Sequence, residues 1–317
     1  MSGKKIAIVD LGTNTFHVLV AAIKGNDFEF LHREKLAVKI GEDGIMEGRI
    51  SEQAFQRAVA ASVHIKSILD RFNVTETKAI ATSAIRGASN GQRLLKEIGD
   101  FAGIKASTID GNIEAELIYQ GVRLAIGLGN SPSLIMDIGG GSVEFILANQ
   151  FQIFWKRSFD IGAQRLFDKF HRHDPVSKVE LESLDDYLDQ ELTPLYNAIK
   201  KYNPDTLIGS SGTFETLSDI YCLRQNIRLE TNDTEKPIDI LFFHKIFKDI
   251  IKRNRVERLQ IPGMSEMRAD MISMAVALIN RIISIHHFTQ LRVSGYALKE
   301  GLLIKLINEK EIQELSA

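Results

Sequence analysis

Residues 133–149 read SLIMDIGGGSVEFILAN. An apolar run stops at Asp137, gives way to three glycines and a serine, and resumes around Glu144. Short apolar runs bounded by glycine read as buried strands joined by a tight turn. Glycine lets backbone N–H groups come close to a ligand, and a neighbouring hydroxyl adds a donor, so such a turn can cradle an anion. Gly139, Gly140, Gly141 and Ser142 are therefore candidate phosphate contacts. Acids on either side would repel a phosphate unless a hard cation lies between them, and Mg²⁺ binds through one or two carboxylates, phosphate oxygens and waters. Asp137 and Glu144 are candidate ligands for Mg²⁺, with Mn²⁺ as the alternative.

The same pattern stands near the start of the chain. IAIVDLGTNTFHVLVAA (6–22) overlays on 133–149 without a gap. Asp10 falls on Asp137, Gly12 on Gly139, Thr15 on Ser142 and Ala21 on Ala148. Asp10 joins the candidate metal ligands, and Gly12, Thr13 and Asn14 form a second candidate phosphate loop. A third turn, IGSSGTFETL (208–217), follows a strand and opens a helix, adding Ser211, Gly212 and Thr213. One glycine-rich hairpin is ordinarily only a hairpin. Two in register, with a third glycine turn at a helix start, are not explained by packing alone. The offset between the copies is far too long for a solenoid, so a duplicated domain is expected, with a cleft between its halves.

The rest of the chain fits an α/β layout. Strands are expected at IAIVD, HVLVAAI, FEFLHRE, KAIATS, SLIMDI, EFILA, FQIFWKR and DTLIGS. Helical periodicity covers 51–72, with Ser51 as N-cap, then 113–126, 178–202, 213–225, 242–256, 268–286 and 296–308. The stretch AIGLGNSPS at 125–133 is the expected boundary, placing one domain at 1–125 and the second at 126–295. A second crossing is expected near 295–300. Closure around a ligand would hinge there and near 125–132.

Composition excludes several classes. The chain has 317 residues, 44% hydrophobic and 25% charged, with net charge −2, so no basic field points to DNA. A single cysteine, Cys222, rules out an intrachain disulfide framework. MSGKK leads directly into IAIV without the regions of a signal peptide, and no apolar run reaches the ~18 residues of a membrane span. A cytoplasmic protein without a membrane partner is expected.

Read in order, the motifs resemble the exopolyphosphatase / guanosine pentaphosphate phosphohydrolase (Ppx/GppA) family of the actin, sugar-kinase and heat-shock ATPase superfamily. IVDLGTNTFHVLV resembles its first phosphate motif, and MDIGGGSVEFIL its second. ATSAIRGASNG, IDGNIEAELIYQGV, IGAQRLFDKFHRHDP, IGSSGTFETL, IPGMSEMRADMI and VSGYALKEGLL follow at the matching places. The resemblance implies two ribonuclease H-like (actin-like ATPase) domains, and release of terminal orthophosphate from polyphosphate or guanosine pentaphosphate by metal-assisted attack of water. It also implies that helix 296–317 returns to the first domain, and it puts the catalytic carboxylate at Glu114 and the family arginine at Arg86. Asp10, Thr13 and Asn14 fall on the first loop, and Asp137 and Glu144 on the acidic positions of the second.

The chain departs from the family pattern at four places. Ile113 stands for the first Glu of a pair, Asp110 for a Ser, Glu116 for an Arg, and Lys299 for an Arg. The first three weaken the local positive field around Glu114. A kinase of the same superfamily, or a non-enzymatic sensor of polyphosphate or of guanosine penta- or tetraphosphate, are the rival readings. Any further grip on a long substrate is expected to come from the core or from a homodimer. Glu114 also has a plainer reading as a dipole partner in a first helical turn, with Asn112 as the cap. HRHD (171–174) reads as a solvated loop or helix end, with a metal site as the alternative, and RNRVER (253–258) as a solvated helix end, with guidance of an anionic chain as the alternative. Arg165, Arg268 and Arg292 read first as solvated or paired arginines, with phosphate binding as the alternative.

Overall fold

The computed structural model describes residues 4–25, 27–230 and 233–315, with side chains as far as 308. Its first strands are β1 (Lys4–Leu11), β2 (Thr15–Lys24) and β3 (Asp27–Ala37). Then come α1 (Glu52–Arg71), β4 (Glu76–Ala81), α2 (Ser83–Gly87), α3 (Gly91–Ala102), β5 (Ala106–Thr108) and α4 (Gly111–Ala125). The strands form one sheet in the order β3-β2-β1-β4-β5. The first three are antiparallel neighbours, while β4 and β5 run parallel to β1.

The second set begins with β6 (Ser133–Ile138), β7 (Val143–Ala148) and β8 (Ile153–Phe159). Next are α5 (Ala163–Phe170), α6 (Lys178–Glu191), α7 (Thr193–Tyr202), β9 (Thr206–Ser210) and α8 (Ser211–Gln225). β10 (Glu235–Lys236), α9 (Ile240–Lys252), α10 (Arg255–Leu259), α11 (Ile272–Ile285), β11 (Gln290–Ser294) and α12 (Leu298–Leu315) complete the chain. The second sheet has the order β10-β11-β9-β6-β7-β8. Strands β6, β7 and β8 repeat the antiparallel meander of β1, β2 and β3, and β9 and β11 repeat the parallel β4 and β5. This is the ribonuclease H-like arrangement twice, with β10 added at one edge.

Residues up to Gln120, together with those from Leu298 on, form one compact unit; Gly121–Ala297 form another. Each has its own core. In the first, Val9, Leu11 and Phe16 pack with Phe55, Ile65 and Leu94 from the helices. In the second, Leu134, Phe145 and Leu207 pack with Phe214, Phe243 and Leu278. Every residue of β6 and β7 is buried, as expected of central strands covered on both faces.

Some local expectations need correction. The single helix expected over 178–202 is two helices, because Pro194 lacks the N–H to continue α6 and instead starts α7. The helix expected over 242–256 ends at Lys252, and Asn254 with Glu257 forms a capping box that starts α10. Ser83, read as the end of a strand, opens α2. No helix among the described residues is long and apolar enough to cross a membrane.

Candidate active site

The two glycine turns have the same interior. Gly12 N–H donates to the Thr15 carbonyl at 3.1 Å, and Gly139 N–H donates to the Ser142 carbonyl at 3.0 Å. A Cβ at Gly12 or Gly139 would lie 2.8 or 2.9 Å from that same oxygen, so each turn needs glycine. In the first turn Thr13 and Asn14 are buried. Their carbonyls are taken by the following segment: Thr13 O by Gly41 N–H, and Asn14 O by the N–H groups of Val38 and Lys39.

The second turn is held by a helix. The Gly139 carbonyl accepts from Ala163 N–H, the Gly140 carbonyl from Gln164 N–H and the Gly141 carbonyl from Gly162 N–H. These are the N–H groups at the start of α5, which no turn of that helix can satisfy. Arg165 Nε adds a bond to Gly141 O at 3.0 Å. Gly162 approaches so closely that a Cβ there would lie 2.4 Å from the Gly140 carbonyl. With the turn's carbonyls engaged on this side, the N–H groups of Gly140 and Gly141 meet no backbone acceptor among the described residues. They are free to receive an anion.

Asp137 and Glu144 are direct cross-strand partners on β6 and β7, so their side chains leave the same face of the sheet. Both are buried. Asp137 also lies beside Ser210 of β9, where α8 begins. Ser211, in the left-handed region at φ 69°, turns its hydroxyl onto Asp137, 2.8 Å from Oδ1 and 2.7 Å from Oδ2. Ser158 Oγ donates to Glu144 Oε1 at 2.6 Å. Arg268 closes this group. A Cβ at Gly212 would lie 2.0 Å from its Nη2 and 2.5 Å from its Cζ, so the guanidinium lies directly on Gly212 at the start of α8. Burial pushes the Arg268 guanidinium down from its ordinary value, opposed by the carboxylates of Glu215 and Asp137. A cation at the positive end of a helix makes the place attractive to an anion.

Glu114 sits in the first turn of α4. Its carboxylate is buried and accepts from Arg86 Nη1 at 3.0 Å, and the same nitrogen donates to Ile109 O at 2.8 Å. Arg86 thereby ties the carboxylate to the chain that enters the helix. The cap is Asp110 rather than Asn112: Asp110 Oδ1 accepts from Asn112 N–H at 2.8 Å, and its carbonyl accepts from Glu114 N–H. An aspartate can cap as a serine would, which accounts for Asp110 in place of the expected serine. Helical spacing turns Ile113 and Glu116 outward while Glu114 points in.

The Ppx/GppA phosphatase family model matches residues 19–310. The chain belongs to the Ppx/GppA phosphatase family. Among solved structures, an exopolyphosphatase from Cytophaga hutchinsonii is 40% identical, with a TM-score of 0.94 over 96% of this chain and 98% of that one. The Aquifex aeolicus Ppx/GppA family member shares the fold, with a TM-score of 0.78 at 23% identity over 97% of this chain and 98% of that one. A Haemophilus influenzae protein provisionally named an exopolyphosphatase is 24% identical over 99% of this chain and 95% of its own length. A guanosine-5'-triphosphate,3'-diphosphate pyrophosphatase from Aliivibrio fischeri is 25% identical, and this chain spans 60% of its length.

A hard divalent ion suits the donor set of this Ppx/GppA member. Asp137 and Glu144 are all-oxygen ligands at one turn. Among the described residues no three His, Cys, Asp or Glu side chains gather at metal-binding distance. A pair suffices for an ion that completes its shell with phosphate oxygens and waters.

The remaining arginines divide. Arg292 makes a two-pronged pair with Glu235 at 2.6 and 2.7 Å and donates to Gly127 O, which ties β10 to β11. Arg165 and Arg268 instead lie at the second turn and at the α8 start. The sequence reading left both out of the site, and the signal for Arg268 was its place in the RAD segment. HRHD is a loop in which Arg172, His173 and Asp174 are exposed, as expected, but the His171 side chain is buried and stacks on Phe167 with ring centroids 4.6 Å apart. RNRVER is not wholly solvated, because Arg258 is among the most completely buried side chains.

Proposed function

We propose that this chain is a phosphohydrolase that removes terminal orthophosphate from linear polyphosphate, with guanosine pentaphosphate as the second substrate. Family membership and the 40% identical exopolyphosphatase support the reaction class. The observation that carries the residue assignment is the buried Asp137–Glu144 pair at a turn whose amide groups are free to bind an anion.

In this reading Glu114, held by Arg86, orients a water and accepts its proton. The water oxygen forms a bond to the terminal phosphorus, the bridging P–O bond breaks, and its electron pair leaves with the shortened chain. Phosphates are held by the N–H groups of Gly140 and Gly141, the hydroxyls of Ser142, Ser211 and Thr213, and the Arg268 guanidinium; the turn at Gly12, Thr13 and Asn14 is a phosphate loop of the first unit in its own right. Asp137 and Glu144 would hold Mg²⁺ or Mn²⁺, which when bound neutralises charge on the phosphate oxygens; Asp10 stands at the corresponding place of the first turn. Phosphoryl transfer draws mostly on positioning and charge neutralisation.

The test is phosphate release with Mg²⁺ from polyphosphate, guanosine pentaphosphate and ATP. Release from the first two and none from ATP is expected. Glu114→Gln should keep the fold and lower kcat by at least ~10², the effect of a lost base. Near wild-type turnover in Glu114→Gln would remove that residue from the mechanism. Nucleotide binding without phosphate release would turn the protein into a sensor.

A further inference from the structure

We propose that buried Arg258 and its partner Asp174, with Arg255 and Asp270, form a clamp that positions Arg268 on the α8 start and so sets affinity for the phosphate chain. This rests on the reading of Arg268 as a phosphate contact.

The Arg258 side chain is 1% exposed. A buried charge is costly, and well-packed apolar side chains often replace such pairs without loss of stability, so its presence needs a reason beyond the fold. The bonds of this side chain lead to specific places. Nη1 reaches Asp174 Oδ1 at 2.9 Å and Arg253 O at 2.7 Å. Nε donates to the carbonyl of Ala269, the residue next to Arg268, at 2.8 Å. The following residue, Asp270, accepts from Arg255 Nε at 2.5 Å. Arg255 is in turn fixed by its own N–H, which donates to Asp174 Oδ2 at 2.6 Å. One carboxylate, Asp174, therefore holds both arginines of α10, and these hold the two residues that follow Arg268.

The backbone around Arg268 is bound as well. Its N–H donates to Ser265 O, and its carbonyl accepts from Met271 and Ile272 at the start of α11. The Arg268 side chain leaves this strap and lies against Gly212. A long side chain on a loosely held strap would sample many positions, whereas one on a braced strap keeps the geometry that a bidentate phosphate contact needs. The clamp residues touch no substrate in this scheme. They are positioning residues that act through Arg268, and they account for the HRHD, RNRVER and RAD segments together.

The test uses the purified full chain, linear polyphosphate of one length, and steady-state phosphate release. Arg258→Met and Arg255→Gln should each raise KM by roughly tenfold with kcat within about twofold, and Arg258→Lys should recover part of the loss. Added to Arg268→Gln, either should raise KM little further, because the interaction that they position is already gone. Arg255 is partly exposed, so Arg255→Gln gives the reading even where Arg258→Met fails to fold. Clamp variants that fold with wild-type KM would overturn the proposal. So would a KM increase of equal size with and without Arg268. If Arg268→Gln alone changes nothing, the phosphate-contact reading of Arg268 fails, and the clamp fails with it. If Arg268→Gln raises KM while the clamp variants do not, only the clamp fails.

Discussion

In the first unit the turn after Asp10 closes with Gly12 on the Thr15 carbonyl, and in the second the turn after Asp137 closes with Gly139 on the Ser142 carbonyl. Inside, the two are interchangeable. Outside, they differ. The first turn's carbonyls are held by the loop at 38–41, whereas the second's are held by the start of α5. Across the ladder, Asp10 faces His17 while Asp137 faces Glu144. His17 Nε2 lies 2.8 Å from Thr15 Oγ1, within its own turn, whereas Glu144 accepts from Ser158 on the next strand. The backbone of a duplicated turn tolerates no side chain at its glycine, so it persists. The residue across the ladder is constrained only by its surroundings, and there the two copies have diverged in chemistry: acid with imidazole in one, acid with acid in the other.

The strongest way to break this comparison is to remove the acid of each turn. Asp137→Asn should lower phosphate release by roughly 10²–10³ and raise the Mg²⁺ required, while Asp10→Asn should cost about tenfold. Equal losses, or full activity of either protein in excess chelator, would contradict a division of labour between the turns. A sharper version exchanges the cross-strand partner. Glu144→His gives the second turn the pair found in the first, and should raise the Mg²⁺ needed for half-maximal activity by roughly 10–100-fold. His17→Gln should leave that requirement within about threefold of wild type.

The shared interior is tested by stability rather than activity. Gly12→Ala and Gly139→Ala each push a Cβ against a backbone oxygen and should each cost about 1–3 kcal/mol in urea unfolding. Gly162→Ala, which strikes backbone from the neighbouring loop, should cost at least as much as Gly139→Ala. A Gly139→Ala protein as stable as wild type would show that the turn can open.

The units also contrast at their helix starts, where the smallest effect is expected. Ser51 caps α1 alone, accepting from Ala54 N–H, while Ser177 caps α6 in a reciprocal box with Glu180. Burial by itself would raise the Glu180 carboxyl. Bonds from the Ser177 hydroxyl and from the N–H groups of Ser177, Arg172 and His173 instead bring it down to about 2 from 4.5. A folded value below the unfolded one stabilises the protein above pH 4.5, and that contribution is lost as the pH falls toward 2. Urea midpoints of wild type and Glu180→Gln should differ at pH 5 and converge as the pH approaches 2. A constant gap would remove Glu180 from the acid response.

What was legible in the sequence was local. The glycine turns, their flanking β-branched runs and the Ser51 cap are decided by residues a few positions apart, so a gapless overlay of 6–22 on 133–149 was enough to predict the duplicated α/β fold. Even some corrections were local in origin: Pro194 breaks the helix expected over 178–202, and Asp110 displaces Asn112 as the cap of α4. Strands β5 and β10, three and two residues long, carry too little pattern to be read without their neighbours. Other features only tertiary structure decided. The Ser211 hydroxyl on Asp137 joins residues 74 positions apart, and the Arg255 N–H on Asp174 joins residues 81 apart. No periodicity encodes such pairs. They form because parallel strands bring β6 beside β9, and because the fold brings Asp174 to the start of α10, where the Arg255 N–H has no partner within the helix.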